Sequence, residues 1–119
     1  MAEELYLKIY DPVTVTGAED ELFLISDASD IFDLRLWVHN SGGTALSAAR
    51  FEGSFDGLVW VPIDAAAVTT AFGTLAGAGR GSLYVTNLYF PYLRMMATSA
   101  GTTTVSAAIT LGRRPGGLG

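Results

Sequence analysis

Asp33, Arg35, Trp37 and His39 alternate with Phe32, Leu34, Leu36 and Val38. In an extended strand this spacing puts an acid, an arginine, an indole and the chain's single histidine on one face, and leaves the other face purely apolar. Two chemistries follow. His39 can pair with Asp33. Alternatively, Trp37 with His39 and Asp33 offers a ring for a pyranose to stack on, with polar neighbours to orient it. The plainer alternative is a half-exposed strand whose polar residues meet water. Trp60, Tyr84, Tyr89 and Tyr92 pose the same choice between sugar stacking and core packing.

Other chemistries find little to work with. The chain has no cysteine and one histidine, so thiolate and imidazole metal clusters are excluded, and neither a metal nor a cofactor is expected. The acids Asp27, Asp30 and Asp33 lack the spacing and closing glutamate of a calcium loop. A serine nucleophile would need His39 as its base and a G-x-S-x-G elbow, which does not occur. The glycines at 73, 77, 79 and 81 suggest a phosphate loop, but no lysine follows and no strand–turn–helix context surrounds them. Residues 65–81 are expected to form a long connection between strands. The chain is expected not to be an enzyme.

Composition points the same way. Half of the 119 residues are hydrophobic and only 16% are charged, which suits a domain that hides surface against copies of itself or a partner. Abundant Ala and Gly offer the alternative explanation. All twelve acids lie between Glu3 and Asp64, against Lys8, Arg35 and Arg50, a balance of −9. Arg80, Arg94, Arg113 and Arg114 give the remainder +4, for a net charge of −5. An acidic chain without a basic stripe is not built for nucleic acid. Its unlike halves either steer subunits together or intermix on folding. Met1-Ala2-Glu3-Glu4 places acids where a signal peptide needs positive charge, and no apolar run approaches the roughly 18 residues of a membrane span. Cytosolic synthesis and no membrane partner are therefore expected.

Period-2 alternation, with turn signals about every ten residues, predicts an all-β antiparallel sandwich, jelly-roll-like, of about eight strands. Residues 1–112 form one domain in this reading, and 113–119 a flexible basic tail. Leu5, Leu7 and Ile9 share a face before Asp11-Pro12 breaks the run. Val105, Ala107, Ile109 and Leu111 point inward from the last strand. Asp56-Gly57, between two apolar runs, predicts a two-residue type I′ hairpin. That register sets Gly53 opposite Trp60, whose ring then covers the glycine. It also aligns Val59, Val61 and Ile63 beside Ser54, Glu52 and Arg50. The face so formed is half apolar and needs a cover, from another layer or another subunit.

"GSFDGLVWVPI" and the later "FPYLRMMATSAGTTTVSAAITL" resemble small β-sandwich virion proteins of tailed bacteriophages, through Ser54, Asp56, Gly57, Trp60, Tyr92, Leu93 and Arg94. The similarity spans roughly residues 50–111. It implies a non-enzymatic structural protein of the virion, a capsid decoration protein that self-associates, with a trimer favoured, and binds major capsid or other virion proteins. Val59, Val61, Ile63, Arg50 and Glu52 are its expected interface. The same hairpin is similar to that of discoidin-type galactose-binding domains, which implies the alternative: a carbohydrate-binding module for host-surface recognition, using Trp37, His39 and Asp33.

Overall fold

Apolar side chains at every second position require a second sheet to cover them, and the chain supplies it. The computed structural model describes residues 4–113. It contains β1 (Glu4–Ile9), β2 (Val13–Val15), β3 (Asp20–Ile25), β4 (Ile31–Asn40), β5 (Leu46–Ser54), β6 (Val61–Pro62), α1 (Ala65–Phe72), β7 (Arg80–Thr86), β8 (Tyr92–Ser99) and β9 (Thr103–Arg113). One antiparallel sheet runs β1-β9-β4-β7, with β2 also on β9. The other runs β3-β8-β5-β6. Early and late strands interleave in both sheets, which is the jelly-roll order of a double Greek key. Leu34, Leu36 and Val38 of β4 and Val105, Ala107, Ile109 and Leu111 of β9 point into the core from adjacent strands, as their alternation requires. The backbone of Arg113 pairs within β9's ladders. The rest of the expected tail lies outside the described residues.

Two features of the fold have physical causes that alternation alone does not show. Residues 65–81 are not an open connection, because their first half is α1. Eight residues including Val68, Thr69 and Thr70 make a poor helix in isolation. Packing against β5 and β7 fully buries Val68 and Phe72, four residues apart on one face. Each such burial contributes about 2 kcal/mol, enough to outweigh the weak propensity. The second feature concerns β1, whose Leu7 and Ile9 share a face as expected. Ile9 pairs with Ala108 and Val13 with Val105, so four steps along β1–β2 match three along β9. The extra residue at Asp11-Pro12 reverses the faces. Val15 enters the core, while Leu7 and Ile9 turn outward and are 66% and 73% exposed.

A buried asparagine ties the loops at one end. Asn40, at the end of β4, donates from Nδ2 to the carbonyls of Thr44 (2.7 Å) and Leu75 (3.1 Å). Its Oδ1 accepts from the Thr103 hydroxyl (2.7 Å) and the Gly42 amide (3.3 Å). Gly42 sits so close to Thr103 that a Cβ there would lie 2.7 Å from the Thr104 nitrogen. One side chain thereby ties two loop segments, at residues 42–44 and at Leu75, to the start of β9.

Tyr10 is the counter-example. It stacks on Phe23 with ring centroids 4.9 Å apart, and its buried hydroxyl finds no partner. Burial, helped by the nearby Asp27 charge, pushes the phenol up to about 12.

Asn40→Ala leaves the Thr103 hydroxyl and the Thr44 carbonyl without a partner, while the Leu75 carbonyl keeps the Leu46 amide at 2.9 Å, and should cost about 3 kcal/mol in urea unfolding. Tyr10→Phe removes an unpaired hydroxyl and should add about 1 kcal/mol. Because the raised phenol stays neutral in the fold, parent stability should fall as pH rises above 10, and the Phe variant should lack this alkaline loss.

Candidate functional site

Two surfaces gather the residues singled out from the sequence. The first is the tip between β5 and β6. Only Gly57 there has positive φ, at 78°, so the turn is not type I′, which needs positive φ at Asp56 as well. Side chains shape the tip instead. The Asp56 carboxylate accepts from the amides of Leu58 (2.8 Å) and Val59 (3.0 Å) and from the Ser54 hydroxyl (3.0 Å). The buried Ser54 oxygen accepts from the Gly57 amide at 2.8 Å. These bonds hold the Asp56 carboxyl below its ordinary value of 3.8; the Val59 amide has the largest effect, then Leu58 and Ser54.

The wider loop shifts the register by one residue. Glu52 pairs with Pro62 and Gly53 with Val61. The expected row of Val59, Val61 and Ile63 beside Arg50 and Glu52 is therefore corrected, since a one-residue slip exchanges faces. Ile63 packs against the core. Val61 and Val59 stay exposed, at 45% and 68%. The ring covering Gly53 belongs to Phe90, whose Cδ2 lies 2.3 Å from where a Cβ would stand. Trp60 lies over the Arg94 guanidinium instead, 4.1 Å from ring centroid to Cζ. Arg94 holds the buried Glu52 carboxylate at 2.8 Å, and Arg50 bridges Glu52 (3.1 Å) to Glu19. Glu52 is thus enclosed within its own domain by arginines from both halves of the chain, and the charge asymmetry is partly folded away.

The exposed tip has members that alternation did not single out. Phe55 (63% exposed) and Tyr89 (64%) lie with ring centroids 6.1 Å apart, both against Phe90, and Leu58 stands out at 82%. The available signal was an apolar pair, Leu58-Val59, directly after Asp-Gly, where turns normally place polar residues.

The second surface is the outer face of the five-stranded sheet. Asp33, Arg35, Trp37 and His39 do share it. Asp33 and His39 do not meet, because six residues of straight strand separate them by about 20 Å. His39 sits in register with Arg80 and Ser106. The proximate group is different: Arg35 with Tyr84 on β7 and Thr110 on β9, its partners in register. The Trp37 indole N–H donates to Thr110 Oγ1 at 3.0 Å, and the Tyr84 hydroxyl donates to Asp33. These residues, with Leu111 and Gly112, line a shallow cleft of about 290 Å³. Among the described residues no cluster of three or more metal-ligating side chains occurs.

No protein-family model matches this chain, and no curated protein matches its sequence. Solved structures do match. PirA superposes with a TM-score of 0.57 at 13% identity, over 85% of this chain and 91% of its own. A structure from Bacillus endospore appendages, described as disulfide-linked pili, gives 0.56 at 12%, over 97% and 93%. The SPBc2 prophage-derived protein YomS gives 0.55 at 9%, over 92% and 96%. The likeness is one of fold.

Asp56→Ala should leave the sheets intact and strip the Leu58 and Val59 amides of their hydrogen-exchange protection. A depressed carboxyl contributes fully above its ordinary value and loses its contribution as pH falls through the lowered one. The Leu58 amide chemical shift should therefore titrate with a midpoint below 3.8; a midpoint at or above it would mean the Asp56 bonds do not hold the tip.

Proposed function

We propose that this chain is a non-enzymatic structural subunit of a virus particle, a decoration protein that self-associates and fastens onto a shell of capsid protein. The observation that carries this reading is the tip formed by Phe55, Leu58, Val59, Val61 and Tyr89. It is a group of large apolar side chains, each at least 45% exposed; Phe55, Leu58 and Val59 stand on a loop whose backbone is already fixed by Asp56 and Ser54, with Val61 of β6 and Tyr89 of the β7–β8 connection beside it. Exposed apolar surface of this kind marks a contact site, and a pre-ordered loop loses little conformational entropy when it docks. The five-residue interface expected from the sequence is narrowed to Val59 and Val61, joined by their aromatic neighbours. Arg50 and Glu52 serve the domain's own stability.

The outward Leu7 and Ile9 supply a second apolar contact, which suits a subunit that touches both a sister copy and an underlying shell. A trimer is the expected assembly, and the virion the expected location. The prophage-derived and pilus structures of the same fold agree with a structural role. The mechanism is additive burial: each docked subunit raises the free energy needed to separate the proteins beneath it.

Replacing Leu58 and Val59 together by Asp should convert the oligomer to monomer in size-exclusion chromatography with light scattering, with the melting temperature of the isolated domain little changed, since both side chains contact mainly solvent. An oligomer that survives this double substitution removes the tip from the interface. A parent chain that is monomeric at every concentration and does not bind capsid shells removes the proposal.

A further inference from the structure

Arg35 is singular among the arginines whose side chains are described. Arg50 and Arg94 are paired with carboxylates, and Arg80 is exposed at the end of β7. Arg35 is half-buried on a central strand. Its Cζ lies 5.4 Å from the Tyr84 ring centroid and 5.8 Å from that of Trp37, and no carboxylate within ion-pairing distance appears among the described residues. The nearest acid along its own strand face, Asp33, is taken by the Tyr84 hydroxyl. Two aromatic rings hold the guanidinium in place without satisfying its N–H donors, which are arranged to grip a carboxylate with two parallel bonds.

The surroundings narrow the ligand. The cleft of about 290 Å³ is near the lower end of small-molecule sites, so it admits a sugar ring or two. Trp37 and Tyr84, 45% and 50% exposed, offer apolar surface to sugar C–H groups. Thr110 Oγ1 accepts from Trp37, which leaves its own hydrogen free to donate. Gly112 keeps the floor open: a Cβ there would stand 2.7 Å from Asp33 Oδ1. Asp33 accepts hydrogen bonds but repels a second negative charge only two residues away, about 7 Å along the strand. A ligand with one carboxylate and adjacent hydroxyls satisfies both ends, whereas a run of acidic side chains satisfies one and is repelled at the other.

We propose that the Asp33–Arg35–Trp37–Tyr84–Thr110 cleft binds an acidic monosaccharide unit, a uronic or sialic acid, with Arg35 on the sugar carboxylate and Asp33 on a neighbouring hydroxyl. This adds a recognition activity to the assembly role and does not depend on it. His39 is outside the site.

The test follows the Trp37 indole N–H resonance of the full chain during titration with methyl glucuronide and N-acetylneuraminic acid, with methyl glucoside and acetate as controls. A saturable shift with at least one acidic sugar, tighter than with either control, is expected. Arg35→Met, which keeps the aliphatic stem, should weaken that binding at least about tenfold, as loss of a charge-assisted pair does. Arg35→Lys, which keeps the charge and loses the fork, should weaken it less. No saturation with either acid, equal binding of methyl glucoside or acetate, or full affinity in both variants overturns the proposal. The oligomeric state, measured on the same samples, should be unchanged by Arg35→Met, so failure of the sugar site and failure of the assembly reading are read separately.

Discussion

A β-strand has two faces, and one inserted residue exchanges them. The whole surface of this domain depends on that parity rule. Where β4 meets β9 and β5 meets β8, long stretches of uninterrupted register put the apolar set inside without ambiguity. At Asp11-Pro12 and at the β5–β6 tip, one residue too many enters the ladder. The first slip turns Leu7 and Ile9 out of the domain and still delivers Val15 to the core. The second carries Ile63 inward and sends Trp60 over to Arg94. Among the described residues, the most exposed large apolar side chains lie beside these two irregularities.

This explains what the sequence reveals and what it conceals. The alternation of Leu34, Leu36 and Val38, and of Val105, Ala107, Ile109 and Leu111, was legible because each run is longer than the irregularities that interrupt it, and the sandwich class follows from such runs. The hairpin register was not. Asp-Gly is compatible both with a tight turn and with a wider loop in which the Asp side chain caps two amides, and local composition does not separate these. Helix α1 is hidden for another reason: eight residues with the β-branched run Val68-Thr69-Thr70 at their centre are too few to hold a helix alone, and burial of Val68 and Phe72 by β5 and β7 selects the conformation. Asp33, Arg35, Trp37 and His39 were correctly assigned to one face. Which of them act together was decided by Tyr84 and Thr110, brought alongside from residues far away in the chain.

Ser54, Asp56, Gly57 and Trp60 meet Tyr92, Leu93 and Arg94 in space, far from them in the chain. Ser54 and Asp56 knit the tip, the Tyr92 ring lies 3.6 Å from the position a Gly57 Cβ would occupy, Leu93 is fully buried, and Trp60 lies on Arg94 above Glu52. Their shared task is to fasten β6 and its loop to β5 and β8. Glu52 is central to that task. Its side chain is 4% exposed and faces two guanidiniums, an arrangement whose geometry is fixed because leaving the buried charge alone is costly.

The self-contained hydrogen bonding of the β5–β6 loop has an evolutionary consequence. Ser54 and Asp56 dictate the backbone path, so positions 58 and 59 carry almost no duty toward the sheets beneath them, and position 55 only its contact with Phe90. Substitutions there can accumulate freely as far as folding is concerned, and selection at those three sites then reads only what they touch. Among related chains, an invariant Ser-x-Asp-Gly frame around a drifting apolar trio would be the record of a mount kept constant while its targets changed.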